Sequence, residues 1–139
     1  MAAVMCDLDH FKGVNDRFGH EFGDAALRWV ANVLRSAAGE RPIVLGRQGG
    51  EEFVLLLTDI ARAEALAFAE SLRRTVLARP VEWDGKRATI TMSVGVAAMP
   101  ACQGQVFQLI AQADAALFEA KRSGRNCVVE FREVPLIAA

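Results

Sequence analysis

The chain has 139 residues, 53% of them hydrophobic, and a formal net charge of −1. That length suits one domain around one core, and the near-neutral charge argues against a general nucleic-acid binder, which carries a basic excess. Three scattered cysteines, Cys6, Cys102 and Cys127, suggest neither a disulfide framework nor a zinc knuckle but buried thiols in a reducing compartment.

Ala2 to Leu8 is a short apolar run that ends in Asp7-Leu8-Asp9. It reads as a buried strand with two carboxylates on one face, because residues i and i+2 of a strand point the same way. Asp7 is placed to hold a metal. Asp9 could do the same, but capping the helix expected over Phe11 to Phe18 is the favoured role. Gly19 to Gly23 is expected to break that helix, and Asp24 to start an amphipathic one. Leu27, Val30 and Leu34 form its stripe, and Gly39 and Pro42 end it.

Two apolar runs follow, Ile43 to Leu45 and Phe53 to Leu57, separated by Arg47-Gln48-Gly49-Gly50-Glu51-Glu52. They read as a hairpin whose glycines accept positive φ in the turn. Two carboxylates at the mouth of an apolar strand are costly unless compensated. A divalent metal is the natural compensation, and the bare glycines let a bulky ligand approach the backbone. A solvated turn with two surface glutamates is the plainer alternative for this stretch alone.

Ala61 to Arg79 is a second amphipathic helix, with Ala65, Phe68, Ala69, Leu72 and Val76 inward and Pro80 as its stop. Asp84-Gly85 marks another hairpin. Ala88 to Ala97 alternates, with Ile90, Met92, Val94 and Val96 on the buried face and Thr89, Thr91 and Ser93 on a more polar one. A loop from Met99 to Gly104 leads to a helix from Val106 to Ser123, its stripe being Ile110, Ala113, Leu117 and Ala120, with Gly124 at the C-cap. Cys127 to Phe131 is the last strand. The domain is expected to span residues 1–133, with 134–139 as a tail. The order gives an α+β fold, helices on a mostly antiparallel sheet. If the first strand neighbours the strand after the Gly-Gly turn, Asp7 and Glu51 converge at one edge. No run is long enough to span a bilayer, and the N-terminus lacks the basic segment of a signal peptide. A cytoplasmic domain without membrane contact is expected.

Taken together, Asp7-Leu8-Asp9-His10-Phe11-Lys12, Asn15-Asp16, Gly19-His20, Gly23-Asp24, Arg47 to Phe53, Ser93-Val94-Gly95-Val96, and Ala113-Asp114 through Lys121 to Asn126 resemble the GGDEF family of bacterial diguanylate cyclases, in its Gly-Gly-Glu-Glu-Phe form. The resemblance runs from Asp7 to Asn126. It implies a fold akin to the ferredoxin-like palm of polymerases and nucleotidyl cyclases. It also implies condensation of two GTP into cyclic di-GMP with loss of two pyrophosphates, by two copies of the domain facing each other.

By the same resemblance Asp7, the Leu8 carbonyl, Glu51 and Glu52 bind metal, and Glu51 helps to deprotonate the attacking 3′-hydroxyl. Oxygen ligands suit Mg²⁺, two per site, with Mn²⁺ as a substitute. Asn15 and Asp24 match the guanine readers, Asp24 accepting from N1–H and the exocyclic amine; a helix N-cap is the plainer role for Asp24. Lys121 and Arg125 match phosphate anchors, against the alternative of dipole compensation at a helix end. The backbone around His10 and Phe11 can cradle phosphates, Lys12 belongs to the same set, and Gly49 and Gly50 leave room. Asp16 and His20 are read as structural support.

The chain departs from the family in three places. Phe118 stands where Tyr is usual, and the helix that normally precedes the first strand is missing, as in an excised domain. The Arg-x-x-Asp product-inhibition motif falls on Glu40 and Ile43, so no high-affinity inhibitory site is expected. A sensory or regulatory domain is expected in the parent protein. The competing reading is a catalytically idle module that binds GTP or cyclic di-GMP.

Overall fold

The computed structural model describes residues 1–100 and 105–134. Its centre is β1 (Ala2–Leu8), buried along its whole length. An apolar strand of this kind is stable only with neighbours on both edges and both faces covered. β3 (Glu52–Leu57) and β6 (Met92–Ala98) supply the edges, both antiparallel. β2 (Ile43–Gly49) lies outside β3, and β7 (Val128–Glu130) runs parallel to β6, giving the order β2-β3-β1-β6-β7. The α+β expectation holds. A separate hairpin, β4 (Val81–Trp83) and β5 (Lys86–Ala88), turns through Asp84 and Gly85 at φ 49° and 73°, the positive pair that a tight Asp-Gly turn requires.

One face of the sheet carries α2 (His20–Ala38) and α3 (Arg62–Ala78) over a large core that includes Phe22, Leu34, Leu55, Leu72 and Ile90. The other face carries α4 (Val106–Arg122), packed on Ala3, Met5 and Ala97 through Leu109, Ala113 and Leu117. A Cβ at Gly95 would stand 2.2 Å from the Ala113 carbonyl oxygen and from the Leu117 nitrogen, so α4 rests directly on the backbone of β6.

Several local expectations are corrected. Gly23 does not break a helix; α2 begins at His20, and Gly19, at φ 92°, is the break after α1 (Phe11–Phe18). Gly23 is a contact point instead, since a Cβ there would meet the Asn15 side-chain oxygen at 1.8 Å. The hairpin turn is Gly50-Glu51 with a bulge after Arg47, one residue later than Gly-Gly alone suggests. The second face of β6 is buried rather than polar, with Ser93 fully covered, because α4 lies over it. Leu109 is buried in α4 where Ile110 was expected, and Ile110 is only half-buried. Asp9 does not cap α1. The cap is His10, in the left-handed region and without a side-chain hydrogen bond to the helix.

Cys6 is buried and its thiol is pushed up to about 12, by burial first and then by the neighbouring Asp7 charge. Cys127 is half-buried and also raised, chiefly by burial. Both are free, and at Cys6 the thiol is inert at neutral pH. Cys102, the loop beyond Pro100 up to Gly104 and the tail from Pro135 lie outside the described residues.

Candidate functional site

The site lies where β1 ends and the β2–β3 hairpin turns. Cross-strand pairing places Asp7 opposite Glu52 of β3 and opposite Ser93 of β6. The Leu8 amide faces the Glu51 carbonyl at 3.4 Å, which holds the turn against the end of β1. Arg47 braces that turn from within, donating from Nε to the Gly50 carbonyl at 2.8 Å. Sequence reasoning had given Arg47 no role; the distance from its chain position to the carbonyl became visible only in the folded hairpin.

Because α4 seats on Gly95, its last turn reaches the same corner. Lys121 Nζ donates to Asp7 Oδ2 at 2.6 Å and lies 3.8 Å from Glu52 Oε1. Asp7 is only 5% exposed. Burial pushes its carboxyl up to about 6, against the lowering effect of Lys121, and the Glu51 and Glu52 charges push the same way as burial. For Lys121, burial pulls downward, but the hydrogen bond and charge of Asp7 win, and its ammonium is raised above the ordinary lysine range. The corner thus concentrates negative charge that one lysine compensates in part.

Among the described residues no three His, Cys, Asp or Glu side chains form a ready-made metal cluster. The carboxylates of Asp7 and Glu52 instead share one cation, the Lys121 ammonium. Hard anionic oxygens of this kind fit the donor set that a divalent cation such as Mg²⁺ takes, and Glu51 is near enough to bear on the Asp7 charge.

The candidate base readers meet at a second corner. Asn15 projects from α1 over the bare backbone of Gly23. Asp24 follows Gly23, exposed, within α2 and not at its N-cap, so the capping alternative falls away. Asp24 lines a cavity of about 200 Å³ with Leu27, Arg28, Ala31, Arg47 and Phe53, which joins this corner to the hairpin. His10 and Lys12 are exposed, Phe11 points its ring at Gly23, and the first-turn N–H groups of α1 have no intrahelical acceptors. Gly49 and Gly50 have nothing within 4 Å of where a Cβ would stand, so the hairpin tip is open.

Lys121 and Arg125 do not share a helix face, as their spacing suggested. The α-helix ends at Arg122, and Arg125 sits in a left-handed turn at φ 63°. Asp9, read as a helix cap or a second metal ligand, instead accepts from the Asn126 N–H in that turn; the hydrogen bond spans the chain and leaves no mark in local sequence.

Residues 1–127 match the family described as "Diguanylate cyclase, GGDEF domain". Diguanylate cyclase A of Treponema denticola is 35% identical over 92% of this chain and 34% of its own length. Response regulator PleD of Caulobacter vibrioides is 42% identical over 93% of this chain and 29% of its own. The chain therefore spans about a third of the length of these two relatives. Among solved structures, the GGDEF domain of DgcB from Caulobacter crescentus in complex with c-di-GMP superposes with a TM-score of 0.85 at 34% identity, covering 95% of this chain and 78% of that one. The active GGEEF domain of a diguanylate cyclase from Vibrio cholerae gives 0.86 at 30% identity, covering 96% and 83%. The match over nearly the whole chain, the sheet order and the acidic corner at the hairpin agree: this chain belongs to the GGDEF family of diguanylate cyclase domains.

Proposed function

We propose that this domain condenses two GTP into cyclic di-GMP and two pyrophosphates, each of two facing copies holding one GTP. The observation that carries the reading is the convergence of Asp7 and Glu52 on one cation beside the open Gly49-Gly50 tip. Asp7, Glu51, Glu52 and the Leu8 carbonyl would hold Mg²⁺, two ions per site, or Mn²⁺ in its place. When bound, the metal would neutralise phosphate charge and lower the pKa of the attacking hydroxyl.

The protein's own groups do the rest. Asn15 and Asp24 hydrogen-bond the guanine edge, and adenine offers the wrong pattern of donors and acceptors. Backbone N–H groups at His10 and Phe11, with Lys12, receive the phosphates. Lys121 and Arg125 grip the β- and γ-phosphates, which compete with Asp7 for the Lys121 ammonium. Each 3′-oxygen attacks the α-phosphorus of the other GTP, and pyrophosphate leaves. Twofold symmetry of the product requires two copies, so specific activity should rise with protein concentration. We place the domain in the cytoplasm, with an input domain elsewhere in its parent protein. No helix among the described residues is long and apolar enough to cross a membrane.

Feedback inhibition at the Arg-x-x-Asp position is not expected. Glu40 and Ile43 stand there, and Arg41, one residue away, faces Glu64 at 3.6 Å. Product would bind in competition with GTP.

One observation favours the second reading, a binding module without turnover: Lys121 already occupies Asp7. Incubation with GTP and Mg²⁺ followed by product chromatography decides between them. One cyclic di-GMP is expected per two pyrophosphates, so that one third of the GTP phosphorus ends in the dinucleotide and two thirds in pyrophosphate. GTP bound but unchanged would select the module.

A further inference from the structure

Three consecutive residues after α4 adopt positive φ: Gly124 at 107°, Arg125 at 63° and Asn126 at 46°. Glycine takes this conformation freely and Asn more readily than most residues, but Arg adopts it only when its surroundings impose it. The restraints can be named. The Arg125 N–H donates to the Ala120 carbonyl at 3.1 Å, closing the helix end. The Asn126 N–H donates to Asp9 Oδ2 at 3.0 Å, and the Asn126 side-chain oxygen accepts from Arg73 Nη1 at 2.9 Å. Arg73 is itself fixed by a two-pronged pair with Glu70. Arg125 is therefore pinned through the backbone on both sides. Its own guanidinium makes no hydrogen bond or ion pair among the described residues.

Asp9 is the unusual member of this set. It is 5% exposed and accepts three hydrogen bonds, from Ser93 Oγ at 2.6 Å, Thr91 Oγ1 at 2.7 Å and the Asn126 N–H. The first two join β1 to β6, strands already paired through Asp7–Ser93 and Leu8–Met92. They are redundant for the sheet. The third reaches the turn itself, ahead of the first β6–β7 bond, in which the Val94 N–H donates to the Cys127 carbonyl at 2.9 Å. It ties the phosphate-side turn to the strand that carries Asp7, two residues back.

We propose that Asp9 is a positioning residue for Arg125: through the Asn126 backbone it latches the Gly124–Asn126 turn in its left-handed form and aims the guanidinium at the phosphate end of the site. The spacing between the acidic corner and the phosphate anchor is then set by one strand end. Ser93 and Asn126, members of the sequence motifs without a chemical role, act as supports of that latch. The inference rests on the reading of Arg125 as a phosphate contact.

The test is binding of 3′-deoxy-GTP, which lacks the nucleophile and so is not consumed, against GMP, which lacks the β- and γ-phosphates. Arg125→Ala and Asp9→Ala should each weaken 3′-deoxy-GTP by about tenfold and GMP by less than about twofold, and the double variant should be no weaker than either single one. Asn126→Val, which leaves Asp9 and its hydroxyl partners in place but disfavours the left-handed turn, should lose the same about tenfold. Asn126→Gly, which keeps the N–H and accepts the turn, should stay within about twofold of the parent. If Asp9→Ala does not fold, the Asn126 pair decides alone. Equal losses for both nucleotides, additive losses in the double variant, or an Asn126→Val protein that binds 3′-deoxy-GTP normally would each overturn the latch. A neutral Arg125→Ala would overturn the phosphate assignment beneath it instead.

Discussion

The two faces of the sheet are built differently. Under α2 and α3 lie Phe22, Leu34, Leu55, Leu72 and Ile90, large side chains that hold helices at a distance and supply most of the apolar burial. Under α4 lie Ala3, Gly95, Ala97 and Ala113, and the helix meets the strand backbone to backbone. That thin face buries less, and α4 leaves Val44 of β2 64% exposed. Close approach is what it provides. With the helix seated this close, Lys121 comes within 2.6 Å of Asp7. Most of the large buried side chains lie on the thick face, and the candidate acidic corner lies at the end of the thin one.

The contrast can be attacked from both sides. Asp7→Asn, at the end of the thin face, should reduce cyclic di-GMP formation by about a thousandfold or more, since it removes a group that acts on developing charge. Circular dichroism should show the fold intact. Near-normal turnover at saturating Mg²⁺ would remove Asp7 from the chemistry. Leu34→Ala, on the thick face and fully buried, should cost about 3 kcal/mol in denaturant unfolding. Nucleotide affinity per folded molecule should not change, and a matching loss of affinity would mean that the faces are not separable.

Gly95→Ala probes the seat of α4 directly. The added methyl meets backbone atoms, so the helix must move, at a cost of about 2 kcal/mol. Turnover per folded molecule should fall as well, because Lys121 is withdrawn; turnover that follows the folded fraction alone would show that close approach is not needed.

The pH dependence gives the smallest expected signal. The Asp7 carboxyl is raised from 3.8 to about 6. The folded state therefore holds this proton more tightly than the unfolded state, and ionisation of Asp7 costs stability. The cost is absent below about pH 4, grows up to about pH 6, and is constant above. Asn at this position does not ionise. Asp7→Asn should thus gain stability relative to the parent between pH 4 and pH 7.5, by roughly 1–2 kcal/mol. Parallel stability curves for the two proteins would show that Asp7 carries no burial cost.

Most of the elements were legible because their signals are local. The apolar run before Asp7, the stripes of α2, α3 and α4, and the Asp84-Gly85 turn each follow from a few neighbouring residues. The errors share one cause. Gly23 was read as a helix breaker because glycine alone disfavours helix, yet it lies inside α2, where the Asn15 side chain takes the place of a Cβ. Ser93 was assigned to a polar face because nothing in β6 announces that a helix will cover it. Asp9 was read as a helix cap from its position before α1.

The sequence by itself determined the strands and helices, the hairpin that carries Glu51 and Glu52, and the set of chemically able residues, since periodicity, turn chemistry and motif spacing are properties of neighbours along the chain. Only the tertiary structure decided what those residues do to one another. Lys121 meets Asp7 across 114 positions, and Asp9 takes its hydrogen bonds from residues 82, 84 and 117 positions away. A carboxylate's role depends on which donors surround it after folding, and packing of the sheet and α4 brings those donors in.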